Sequence, residues 1–84
     1  MKWKLLIALR ALEFLEKLPA RVRRRLRQRI LWLEEHPELS SEYREYDETG
    51  RLVDGCVCDG YAIVYGQDFS DRHVKILAIE PADD

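Results

Sequence analysis

Eighty-four residues make one domain with a small core, because a chain of this length buries only about 60 to 65 per cent of the surface it exposes when unfolded. That leaves little room for a cofactor cavity beside the core, so no cofactor is expected, and no apolar run approaches the roughly 20 residues that span a bilayer. The formal charge of −2 hides a split: residues 1–36 carry ten Lys or Arg against four Glu, a surplus of +6, while residues 37–84 carry four against twelve Asp or Glu, a deficit of −8. Either a basic face stands on an acidic protein, where it attracts phosphates or an acidic partner, or the halves neutralise each other.

Met1-Lys2-Trp3-Lys4 ahead of Leu5-Leu6-Ile7-Ala8-Leu9 resembles the start of a secretory signal. Arg10, Glu13, Glu16 and Lys17 interrupt it too early for an apolar h-region, and no cleavage site follows. A cytoplasmic protein without membrane contact is expected. Trp3–Ile7 suits a first strand, since Trp and Ile favour a pleated surface. Helical spacing takes over near Ala8: Leu9, Leu12, Leu15 and Leu18 share a stripe, with Glu13, Glu16 and Lys17 elsewhere. One helix from Leu5 to Lys17, with no first strand, fits the same pattern.

Pro19 ends that helix and opens the next, where its missing N–H costs nothing. The second helix is predicted over about 20–35. Val22, Leu26, Ile30 and Leu33 form its buried stripe, and Arg21, Arg24, Arg25 and Gln28 cover the opposite side with Arg23 and Arg27 at the flank. His36-Pro37 stops it, because a residue before proline avoids the helical region. Residues 38–42 read as a connection and 43–46 as an extended segment turned by Glu48-Thr49-Gly50. Leu52–Cys58 is a further strand in which Gly55 suggests a bulge. Asp59-Gly60 between apolar flanks is a two-residue hairpin signal. Tyr61–Tyr65 is the next strand, 68–72 a polar turn, Val74–Ile79 the last strand and Pro81-Ala82-Asp83-Asp84 a frayed tail. In a strand Cys56 and Cys58 point to one face; a bridge across one residue is strained and two thiols are too few for structural zinc, so both read as core filler.

Phe14-Leu15-Glu16-Lys17-Leu18-Pro19, the helix ending Leu33-Glu34-Glu35-His36-Pro37, and the hairpin Asp59-Gly60-Tyr61-Ala62-Ile63-Val64-Tyr65 together resemble the RelE/ParE toxin superfamily, over about residues 3–79. The resemblance implies an α+β fold: an N-terminal strand and two helices packed on one face of a mainly antiparallel twisted sheet of four or five strands. It implies the toxin of a type II toxin–antitoxin pair, silenced by an antitoxin that wraps it. RelE-like members inhibit translation by cutting messenger RNA on the ribosome, the activity first expected of this chain; ParE-like members poison DNA gyrase, the alternative. A catalytically degenerate member would bind its antitoxin alone. In each case the resemblance implies a homodimer or a heterotetramer with the antitoxin. Three positions depart from the nuclease pattern. Ala62 stands where those enzymes carry arginine, Leu52–Cys58 lacks their Lys or Arg, and Glu80-Pro81-Ala82-Asp83-Asp84 replaces their basic C-terminal segment.

Cleavage of RNA through its own 2′-hydroxyl needs a base near that oxygen, a cation at the phosphate and an acid at the leaving oxygen. Arg44, Arg51 and Arg72 are the candidate cations, and His73, Tyr61, Tyr65 and Glu45 the candidate acid–base groups; Arg44, Tyr61, Arg72 and His73 form the candidate catalytic set. Tyr43, Arg44 and Tyr46 suit base stacking and a phosphate clamp, or a solvated edge strand. Arg21, Arg24, Arg25 and Arg27 suit ribosomal or messenger RNA, an acidic antitoxin segment, or solvent. The sequence holds no metal cluster, nucleophile elbow or glycine-rich phosphate loop.

Overall fold

A computed structural model describes residues 3–82. In chain order the elements are β1 (Lys4–Ile7), α1 (Leu9–Glu16), α2 (Ala20–Glu35), α3 (Pro37–Ser40), β2 (Tyr43–Tyr46), β3 (Leu52–Cys58), β4 (Tyr61–Asp68) and β5 (His73–Pro81). The strands form one sheet in the order β1-β5-β4-β3-β2. β1 runs parallel to β5, with Leu5 opposite Val74, and the other three pairings are antiparallel. The first strand therefore exists, and the single-helix alternative over residues 5–17 is excluded.

The helices cover one face of this sheet. Ala11 and Leu15 of α1 and Leu26, Ile30 and Leu33 of α2 close on Cys56, Ile63, Tyr65, Val74, Ile76 and Ile79, with Trp3 at one end. The α2 positions are the predicted stripe, but on α1 only Leu15 of the expected Leu9, Leu12, Leu15 and Leu18 is in the core: Leu9 begins the helix 69% exposed and Ala11 takes the inner position. Cys56 lies in this core and Cys58 packs against it, both free. Burial pushes both thiols above their usual range, so neither is a ready nucleophile at neutral pH.

Three expectations need correcting. The connection after His36 is the short helix α3, because Pro37 at its first position needs no amide partner and the Ser40 hydroxyl donates to the His36 carbonyl at 2.9 Å. Gly55 sits in regular pairing with Tyr43 and Val64, and the bulge lies at Val64/Tyr65 against β5 instead. The Tyr43 ring lies across Gly55, so a Cβ there would meet the ring tip unless the ring moved. Pro81 still belongs to β5, and the Ala82 amide donates to the Gly60 carbonyl at 3.0 Å, so the tail is tied down through Ala82. Met1, Lys2, Asp83 and Asp84 lie outside the described residues. The Asp59-Gly60 turn is as expected: φ is 55° and 87°, a left-handed pair matched to a two-residue hairpin.

Candidate functional site

The sheet face away from the helices is open to solvent. Its rows follow from the register. Glu45 stands opposite Val53, and Lys75 opposite Gly66; Tyr43, Gly55, Val64 and Ala78 make the next row, and Val57, Ala62 and Glu80 the one after. The floor is apolar, with Val53, Ala62 and Val64 buried beneath the exposed Val57. Arg51 reaches over Gly66, its Nη2 3.2 Å from where a Cβ would stand there, so Arg51 and Lys75 make the cationic end of this face.

Glu80 stands two rows away, and Glu45, although it shares the row of Lys75, borders the same groove as Glu80. A groove of about 370 Å³ is lined by Tyr43, Glu45, Val57, Ala62, Glu80 and Pro81. The Tyr43 hydroxyl is held above its ordinary pKa by burial first, then by the charges of Glu45 and Glu80, both of which line the groove. Ala62 and one residue from each of the other two departing segments fall side by side: Val57, Ala62 and Glu80 are cross-strand neighbours. Where RNA cleavage requires cations, this row offers two apolar side chains and a carboxylate.

On the helix side, at the β2 edge, a second depression of about 380 Å³ holds Arg44. Asp54 beneath it is buried and accepts from Ser41 Oγ at 2.7 Å, Gln67 Nε2 at 2.8 Å and Arg44 Nε at 3.1 Å. This network fixes the guanidinium at the sheet edge. It was not among the sequence candidates, although an aspartate inside the apolar run Leu52-Val53-Asp54-Gly55-Cys56 was a visible signal for a buried, paired carboxylate.

The candidate catalytic residues are not gathered at one point. Tyr61 is half-buried, packed edge-on against Phe14 with ring centroids 5.9 Å apart. His73 opens β5 beside Arg72, whose carbonyl accepts the Lys4 amide. Tyr61 pairs with Pro81 and His73 with Asp68, so the two lie at opposite ends of one ladder, roughly 23 Å apart at the usual rise per residue. Arg44 is three strands from His73, on the order of 14 Å. Tyr43 occupies the open face while Arg44 and Tyr46, at alternate positions, occupy the other, so these three do not form one clamp.

The arginines of α2 divide. Arg25 pairs with Asp59 at 3.2 Å and Arg29 with Glu42 at 3.4 Å, while Arg23 donates to the carbonyls of Glu16 and Leu18. Arg21, Arg24 and Arg27 are exposed and make no ion pair among the described residues. Leu31 and Trp32 continue that exposed surface, 58% and 47% accessible, with Leu39 of α3 nearby in sequence at 78%. Their positions off the buried stripe were legible in the helical spacing, but their role was not.

No family profile and no curated protein matches this sequence. Solved structures do match. The chain is similar to a chain of the toxin–antitoxin complex RelBE2 from Mycobacterium tuberculosis, with 18% identity, a TM-score of 0.83, and 98% of this chain and 100% of that one covered. It is similar to a chain of the archaeal RelE–RelB complex from Pyrococcus horikoshii OT3, with 20% identity, a TM-score of 0.78 and 96% of each chain covered. The isolated RelE toxin of E. coli gives 21% identity, a TM-score of 0.77, and coverage of 98% of this chain and 86% of that one. Strand order, helix placement and near-complete coverage agree: the fold of this chain is that of the RelE toxins.

Proposed function

We propose that this protein is the toxin half of a toxin–antitoxin pair, held inactive by a cognate antitoxin, and that it acts in the cytoplasm through protein contacts rather than RNA cleavage. The full-length superposition on RelE chains, three of them taken from complexes with their antitoxins or from the isolated toxin, supports the first part. The row Val57–Ala62–Glu80 carries the second: a phosphodiester at its transition state gathers negative charge, and a carboxylate beside it raises the barrier. In this reading Arg21, Arg24, Arg25 and Arg27, with Trp32, offer an acidic antitoxin segment a basic and apolar landing face, and DNA gyrase is the first target to test. The domain is the whole chain, as a homodimer or within a heterotetramer.

A second reading, ribosome-dependent cleavage of messenger RNA, is favoured by Arg51 and Lys75 on the open face. In it Arg44, Arg72, His73 and Tyr61 would have to be drawn together by the ribosome, and Tyr43 and Tyr46 would stack on bases.

The test is induced expression in a sensitive bacterium, with and without the product of the adjacent gene. Growth arrest relieved by that product is expected. Purified protein is then added to a translation reaction and to a gyrase supercoiling reaction. New cuts within translated codons would replace the first reading with the second, and normal growth on expression would remove both.

A further inference from the structure

We infer that the groove between Tyr43 and Glu80 on the open sheet face is a docking site for a short basic and apolar segment of a partner protein. The inference rests on the toxin–partner reading above and names the chemistry of what that partner inserts.

The groove has the parts of such a site. Its floor is Ala62 with Val57 beside it, and Val57, past the end of the β2 pairing, keeps 43% of its surface exposed. The Tyr43 ring forms one wall, laid flat across Gly55, and Pro81 closes the far side. Glu45 and Glu80 are exposed and line the groove with Tyr43, and neither makes an ion pair among the described residues. By contrast, the nearby carboxylates Asp59 and Glu42 are both engaged by arginines of α2. No cation lines the groove.

Charge decides the occupant. An acidic segment would meet two unpaired carboxylates, and an RNA backbone would meet the same repulsion. An aliphatic side chain resting on Val57 and Ala62 carries its neighbour two residues on to the same side if the segment is extended. A Lys or Arg there has Glu80 in its own row to pair with, or Glu45 two rows away, with the Tyr43 hydroxyl free to accept a further hydrogen bond from it. Tyr43 is the aromatic anchor and the two carboxylates set the register. The exposed arginines of α2 then serve a different, acidic stretch, so one partner chain of alternating charge would be read on two faces.

A displayed library of random heptapeptides, selected in parallel on the purified wild-type protein and on the Glu45→Gln/Glu80→Gln variant, tests this. Both changes are at exposed positions and leave the fold intact; circular dichroism of the variant confirms that. The expected result is enrichment of Lys or Arg next to an aliphatic residue on the wild type. The best enriched peptide should bind the double variant roughly tenfold more weakly or worse, and an Arg24→Glu variant unchanged. Amide shifts on titration should gather at Tyr43, Val57, Ala62 and Glu80. No consensus, an acidic consensus, a basic consensus that survives the double change, or shifts gathered on α2 would each overturn the proposal. So would self-association of the wild type that the same two changes abolish, since the occupant would then be a second copy. Growth arrest plays no part in the selection, so this proposal and the toxin reading fail separately.

Discussion

Asp54 shows how a single side chain sets the β2 edge. Its two oxygens take three donors, two from partly buried side chains, and the Arg44 guanidinium is aimed by the outermost of them. Asp54→Ala should cost about 2–3 kcal/mol in urea unfolding, because Ser41 and Gln67 lose their acceptor without gaining water freely; a cost under about 0.5 kcal/mol would mean the cluster is solvated. Gly55→Ala puts a methyl group into the Tyr43 ring. The ring tip can swing aside, so the expected cost is only about 1 kcal/mol, and most of it should vanish in a Tyr43→Ala background, as a double-mutant cycle would read. Asp47 titrates low: the Thr49 hydroxyl and then the Arg51 amide hold its carboxylate below the usual 3.8. Since the folded value lies below the unfolded one, its contribution is present above about pH 4 and is lost as pH falls through the folded value. Carbon-detected titration of Asp47 should show the depressed midpoint, and Asp47→Asn should flatten the acid limb of the stability curve.

Elements were legible where a period or a turn residue carried the information. The α2 span was readable from Pro19 at one end and His36-Pro37 at the other, with Leu26, Ile30 and Leu33 marking its inner side. Leu26→Ala should therefore cost about 2–5 kcal/mol in chemical unfolding, whereas Arg24→Glu, on the outer side, should stay within about 0.5 kcal/mol. Helix α3 was missed because Pro37 was read as a stop, while a proline equally suits the first position of a new turn. The bulge was placed at Gly55 because a strand glycine suggests one, yet what lies across that glycine is the ring of a residue twelve positions earlier. Such a contact has no local signature. The same holds for the candidate site: the cation-free strand Leu52–Cys58, Ala62 and the segment from Glu80 were each visible, but only strand register shows that Val57, Ala62 and Glu80 make one row.

At the scale of the molecule, the charge split resolves in part into pairs. Arg25–Asp59 and Arg29–Glu42 join the basic and acidic portions across α2, and both pairs are partly exposed, so raising salt should lower stability by under about 1 kcal/mol. The parallel pair β1–β5 matters more, because it covers the edge of β5 and binds residues nearly seventy positions apart, Leu5 to Val74. Removal of residues 1–7 should expose that edge and give concentration-dependent association on size exclusion; a monomeric, cooperatively folded product would contradict this. The pairing also has a temporal meaning. During synthesis, at about 5–20 residues per second, Leu5 emerges several seconds before Val74 exists to receive it. The sheet is completed last at the place where it began, so the nascent chain stays unfinished until its final strand is made.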